Sequence, residues 1–467
     1  MTTNRRTFLK GAGAAAISAA GVSGVPATFT AHAAGTSGYK ALVCVFLFGG
    51  LDNHDFILPY DQSSYDAFAS IRQTLLTTQG TSRDRASLLA LNPLNASDFG
   101  SRQFALPPEM PLLKGLFDSG NMALVGNVGP LIEPVTRTTF ENGSARVPPR
   151  LFSHNDQQAT WQSSEPEGAQ FGWGGLFADA MLSAGGNAAS PEFTTISSSE
   201  VGPFLTGNVA QPYQVSVEGS AQIAVLEDLD EGTLTGDEAA FFAHVKDRFR
   251  AQGFNGTNIL AQDLATKFRD GIDTNDQYDE ARAALSPLAT SFPQNSLGFQ
   301  LRSVAETIAI RGALSASRQI FFVGIGGFDT HSSQARTLPS LLSSMDAGLA
   351  AFNSAMIELG LSNDVTLFTA SDFGRTLAVN GDGTDHGWGG HQLVMGGAVN
   401  GNRIFGTLPE PVLDTEQDTG GGRWIPSLSV EQYADPLGQW WGLTPSEVST
   451  ALPNLSNFSG AGLTLFA

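Results

Sequence analysis

The side chains best suited to chemistry lie in two short stretches. The later one, residues 369–397, reads TASDFGRTLAVNGDGTDHGWGGHQLVMGG and packs Asp372, Arg375, Asp382, Asp385, His386 and His391 among glycines. The earlier, IGGFDTHSS, sets Asp329 and His331 directly after the apolar run IFFVG. Three of the chain's seven histidines fall here, each near an aspartate. Carboxylate and imidazole are the donors that hold Zn²⁺ or another divalent ion.

Two further apolar runs end in polar side chains. In GGLDNHDFILPY, Asp52, His54 and Asp55 follow a glycine pair that lets the backbone turn tightly. In RLFSHNDQQATW, Ser153 stands where a helix should begin. Its hydroxyl suits an N-cap, and the same place favours an attacking oxygen or a bound anion, because the helix field and free N–H groups point there. Arg375 has the planar fork that grips two oxygens of an anion. Plainer roles stand beside these. Asp329 could cap a helix, and Asp385 could serve the local bonds of a glycine-rich loop. His54 and His154 could be hydrogen-bonded structural groups, and His244 a surface or packing residue. Trp173 and Trp388, between glycines, suit a pocket wall or a core.

The elements that must position these residues are legible as apolar runs bounded by glycine. Strands are expected at Ala41–Phe48, Met122–Val128, Ile320–Ile325, Val365–Thr369 and Gln392–Met395. Their near-continuous apolarity marks a sheet covered on both faces. Leu338, Leu342, Met345, Leu349, Phe352, Met356 and Leu359 recur at steps of four and three, and Gly360 follows, so a helix is expected over 338–359. That helix joins the strand before Asp329 to the strand before Asp372. The unit is βαβ, the two strands should be parallel, and both motifs should share the carboxyl end of one sheet. Residues 129–150 and 186–235 read as irregular excursions. Residues 236–312 read as a helical layer or insertion. The segment SVEQYADPLGQWWGL reads as an amphipathic helix packing Trp440, Trp441 and Leu443 on the body. Cys44, within ALVCVFLF, is expected to be a small core residue.

The N-terminus, NRRTFLK followed by a mildly apolar Ala/Gly-rich segment and Ala31-His32-Ala33, reads as a twin-arginine export signal removed after Ala33. Residues 34–467 then form one large domain. Lys and Arg total 25 against 45 Asp and Glu, and the signal holds Arg5, Arg6 and Lys10, so the mature chain carries 22 basic against 45 acidic residues. Such a field repels nucleic acid and anionic lipid. No stable membrane insertion is expected after signal removal.

Together GGLD, SHNDQQATW, GGFDTH, SDFGRT and TDHGWGGH resemble the bacterial family catalogued as domain of unknown function 1501, over nearly the whole chain. The resemblance implies twin-arginine export to the periplasm or outside. It also implies an α/β fold like that of alkaline phosphatases and sulfatases, a three-layer sandwich on a mostly parallel sheet. Those enzymes hydrolyse phosphate or sulfate esters with one or two divalent ions and a nucleophile at a helix start. Carried across, Asp52, Asp329, His331 and Asp372 resemble metal ligands and Ser153 the nucleophile. Where that pattern has TxDH, this chain has Phe373 after Asp372, so one site lacks a ligand unless His386 or His391, or else His54, replaces it. Arg375 would grip the ester, and Zn, Mn or Ca would fill the site. The implied function is metal-dependent hydrolysis of a small anionic ester. A non-catalytic exported binding or assembly protein is the alternative, and an isomerase or transferase on the same scaffold is a third.

Overall fold

The computed structural model describes residues 38–220, 235–241, 244, 258–460 and 462–466, which all fall in one compact unit. The expected export signal and part of the expected helical region 236–312 lie outside the described residues. The centre is a nine-stranded sheet. In chain order its strands are β1 (Lys40–Leu47), β2 (Met122–Gly129), β3 (Thr195–Ser197), β4 (Tyr213–Gln214), β5 (Arg318–Ile325), β6 (Val365–Ser371), β7 (Gly390–Met395), β8 (Ile404–Gly406) and β9 (Leu428–Ser429). Their spatial order is β8-β2-β7-β6-β1-β5-β3-β4, with β9 also on β2. Only β7 runs against its neighbours β2 and β6. The other pairs are parallel.

Alternation along β1 shows how the two faces are covered. Ala41, Val43, Val45 and Leu47 pack under helices α4 (Ser296–Ala309) and α5 (Gln334–Glu358). Leu42, Cys44 and Phe46 pack under α2 (Trp173–Ser183) and α6 (Val430–Trp441). A sheet buried on both faces explains why its strands read as unbroken apolar runs. Cys44 lies in that core, and burial pushes its thiol well above its ordinary value. In α6, Trp441 is buried and donates its indole N–H to the Gln319 carbonyl at 3.2 Å. Trp440 stacks on Phe466 instead.

The expected βαβ unit is present. β5 and β6 are both parallel to β1, which lies between them, and α5 connects them. The helix starts one turn earlier than the pattern implied, and Pro339 falls inside it. An interior proline costs a helix about 3 kcal/mol. Six large apolar side chains of α5, Leu338, Leu342, Met345, Leu349, Phe352 and Met356, are buried, each giving roughly 1.5–3 kcal/mol, so packing outweighs the break. Gly360, at φ +68°, supplies the left-handed residue that ends the helix.

Region 129–150 contains one short helix, Arg137–Glu141, closed by a Thr136–Thr139 capping box, and is otherwise irregular. Within 236–312, α3 (Ile259–Ala283) buries only Ile272 and Tyr278, whereas α4 belongs to the core. No helix among the described residues is long and apolar enough to cross a membrane.

Gly49, which follows β1 at φ +109°, has no room for a side chain: a Cβ there would overlap the backbone nitrogen of Asp329. The strain of a positive φ adds to the clash. Gly49→Ala should cost about 1–3 kcal/mol in denaturant unfolding and displace Asp329. A variant as stable as the parent would show that the two loops need not touch.

Candidate metal centre

The parallel strands end at one rim, and four loops there bring donors together. Asp329 and His331 follow β5, and Asp372 follows β6. His386 ends a small hairpin in which Arg375–Val379 pairs antiparallel with Thr384–His386, and the register sets Arg375 opposite His386. His154 opens helix α1 (His154–Ser163).

His154, Asp329 and His386 offer donor atoms all within 4.8 Å of one another. The Nε2 atoms of His331 and His386 each lie 3.2 Å from Asp329 Oδ1. His154 Nε2 lies 3.5 Å from Asp329 Oδ2. Each Nδ1 faces an acceptor on its other side. His154 Nδ1 donates to Asp372 Oδ2 at 2.7 Å, and His386 Nδ1 donates to the Phe152 carbonyl at 2.7 Å. His331 Nδ1 sits 3.4 Å from Asp385. A carbonyl can only accept, so the neutral His386 ring keeps its proton on Nδ1 and turns a bare lone pair inward.

His331 Nε2 and His386 Nε2 are 2.8 Å apart. Two lone pairs that close repel unless a proton or a cation lies between them. A neutral His331 with its proton on Nε2 would donate to the bare His386 Nε2, and a cation would take that proton's place between the two rings. The donor set, imidazoles with anchored Nδ1 atoms plus one carboxylate, fits a Zn²⁺-like ion. The Asp329 and His331 side chains are 44 % and 43 % exposed, so an ion can arrive from solvent.

Phe373, standing where the TxDH pattern has histidine, is a wall of the centre. Its ring stacks on His386 at 4.6 Å and tilts against His154 at 4.9 Å. Phe152 has φ +71°, an unusual backbone for a bulky residue, and this turn aims its carbonyl at His386. Ser153 lies between Phe152 and His154, half-buried at the N-cap position, and its hydroxyl makes no cap hydrogen bond. The helix-cap role read from sequence is therefore not the one it plays.

Arg375 does not face outward. Its guanidinium donates to Asp329 Oδ1 and the Gly49 carbonyl, each at 2.9 Å, to Thr384 Oγ1 at 2.9 Å, and to the Thr384 carbonyl. With no exposed side-chain surface, it positions Asp329 rather than gripping a ligand. Burial alone would raise the Asp329 pKa, but the hydrogen bond and charge of Arg375 hold it below its ordinary value.

Other residues singled out from sequence stand apart from this cluster. The Asp52 carboxylate is fully buried in a bidentate pair with Arg72, at 2.6 and 3.1 Å, and also accepts from Gln334. His391 is buried, and its Nδ1 accepts the Asn127 N–H at 3.0 Å. His54 sets Nε2 3.1 Å from the Arg375 carbonyl and lies edge-on to Trp424. The Asp372 carboxylate is engaged behind His154: Oδ2 takes His154 and Gln158, and Oδ1 the Gly49 N–H. Trp173 and Trp388 are buried core residues whose indoles donate to the carbonyls of Trp161 and Pro130. His244 is exposed. Beside His331 and His386 opens a cleft of about 300 Å³, whose lining includes Phe140, Phe152, Thr419 and Arg423. Neither Arg423 nor the part of His154 was anticipated from sequence.

The model of the family described as "Protein of unknown function (DUF1501)" matches residues 39–419, and the chain belongs to that family. No curated protein matches it. Among solved structures, the one described as "Crystal structure of Ps i-CgsB in complex with k-i-k-neocarrahexaose" is similar at a TM-score of 0.35 and 9 % identity, over 87 % of this chain and 73 % of that one. A likeness that loose carries no argument about this chain.

Removing Arg72 would leave the Asp52 charge buried and alone, so Arg72→Met should cost about 3–5 kcal/mol in urea unfolding. A loss below 1 kcal/mol would contradict the pairing. Burial pushes the His54 imidazole well down and His391 down to about 3, from an ordinary 6.5. The unfolded chain then takes up protons below pH 6.5 that the folded chain refuses. These residues' contribution is fully present above that pH and declines as pH falls toward 3. His154 is shifted upward, chiefly by its hydrogen bond to Asp372, and acts in the opposite sense. The wild type should therefore lose stability relative to His391→Gln between pH 7.5 and 5; parallel pH profiles would refute the assignment.

Proposed function

We propose that the protein is an exported, metal-dependent hydrolase of phosphate or sulfate esters, working with one divalent ion on an alkaline-phosphatase-like scaffold. The observation that carries the reading is the convergence of three imidazole Nε2 atoms on Asp329 with their Nδ1 atoms tied behind. His154, His331, His386 and Asp329 would hold the ion. Bound there, it would supply Lewis acidity toward an ester oxygen and a lowered pKa for a hydroxyl or water beside it. One ion is favoured over two because Asp52 is committed to Arg72, and Phe373 offers no donor.

Within the chain, Ser153 is the nucleophile. It is free of cap duty, and it stands at a helix N-terminus whose field favours a developing oxyanion. Its chain neighbours, Phe152 and His154, are both pinned to the centre, which fixes its backbone. Asp372 keeps the proton of His154 on Nδ1, and Arg375 keeps Asp329 ionised and in place. Folding before export suits a centre assembled from three separate segments, since the donors exist as a set only in the folded chain.

A non-catalytic binding protein remains the second reading. Its support is the pair of positions, Asp52 and Phe373, that a two-ion enzyme would use and this chain does not.

Purified protein should contain about one Zn or similar transition-metal ion per chain, measured by elemental analysis. His331→Ala and His386→Ala should lose most of it. Ser153→Ala should keep the metal and abolish turnover of nitrophenyl phosphate or sulfate. Metal-free protein at full folding would overturn the reading; metal with no turnover would leave the binding protein.

A further inference from the structure

We propose that the cleft beside His331 and His386 binds a small tetrahedral oxyanion ester carrying an aromatic group, with Arg423 holding the oxyanion and Phe140 and Phe152 flanking the ring. This rests on the hydrolase reading for its chemistry but on separate residues for its binding. With Arg375 wholly engaged by Asp329, Gly49 and Thr384, the ester needs another cation.

Arg423 meets the requirement. Its Nε donates to the His386 carbonyl at 2.8 Å and its Nη1 to the Gly420 carbonyl at 2.9 Å. Its guanidinium lies 5.6 Å from the Phe152 ring centre, within cation–π range. Two backbone anchors and a ring fix the plane of the fork, so little side-chain freedom is lost when an anion is held. Nη2 makes no hydrogen bond to the described residues, and the side chain lines the cleft. Arg423 lines the same cleft as the His331 and His386 rings, so an anion held on it shares the cleft with those donors. One carboxylate shares the lining. Asp385 Oδ1 accepts from Asn380 at 2.8 Å and pairs with His331, so its charge is partly spent.

The rest of the lining argues for an aromatic substituent. Phe140 packs on Trp388 at 5.8 Å and, with Leu131 and Ile425, belongs to a satellite apolar cluster that keeps it in place. Phe152 forms another wall. The volume, about 300 Å³, is at the small end of ligand sites.

Calorimetric titration of the mature chain with phenylphosphonate and methylphosphonate, each with and without Zn²⁺, tests this. Phenylphosphonate should bind about tenfold more tightly than methylphosphonate. Arg423→Gln should weaken both by about tenfold or more with its zinc content unchanged, a separation that general damage to the centre would not give. Phe140→Ala should erase the phenyl preference, and Phe140→Leu should keep most of it. Phenylsulfonate in a parallel titration distinguishes a sulfate from a phosphate ester. Equal affinity for the two phosphonates, an unchanged Arg423→Gln, or no binding of either ligand would overturn the inference. If zinc is not retained but phenylphosphonate still binds through Arg423, the hydrolase reading fails and the cleft assignment stands.

Discussion

The Arg375 guanidinium is the contact on which the rim depends. It joins the turn after β1 through Gly49, the loop after β5 through Asp329, and its own hairpin through Thr384. The loops already meet through backbone bonds, Phe328 N–H to the Phe48 carbonyl and Thr384 N–H to the Thr330 carbonyl. The buried cation ties all three at one point, and leaving any of its partners unmade would strand a charge or a carbonyl away from water. The same contact keeps Asp329 ionised while partly exposed, which a metal ligand requires.

Around this anchor the histidines are oriented from behind. Asp372, the Phe152 carbonyl and Asp385 take the Nδ1 atoms, and Phe373 packs two of the rings. These contacts fix the orientation of the rings from the side away from Asp329. Part of their cost is local strain at Phe152, held by the hydrogen bond its carbonyl accepts. Two carboxylates of the rim serve as structure: Asp52 neutralises Arg72, and Asp372 orients His154. The three rings meet around the one carboxylate of Asp329.

Much of this was legible from local pattern, because strand ends announce themselves. An apolar run followed by glycine and a polar residue marked the turns that carry Asp52, Asp329 and Asp372, and the period of α5 made β5 and β6 parallel. Pattern did not reveal which carboxylate meets which partner. Arg72 lies on the far side of a helix in sequence from Asp52, with nothing local to announce the pair, and a buried ion pair turns an apparent ligand into structure. His154 had a weak signal, an imidazole directly after a serine at a helix start, that only the proximity of Asp372 made decisive. Arg423 sits in a glycine-rich loop with no periodicity at all, and its role depends on the His386 carbonyl. His391 looked equivalent to His386 in the same motif. Yet β7 carries it into the interior, where its imidazole serves the Asn127 backbone.

The central claim is one cation held by imidazole from three places in the chain and the carboxylate of Asp329. X-ray absorption at the zinc edge of the loaded protein reads this directly. The account predicts strong imidazole scattering, first-shell nitrogen and oxygen at about 2.0–2.2 Å, and no neighbouring metal. A shell of oxygen without imidazole, or a second zinc at about 3.5–4 Å, would contradict it.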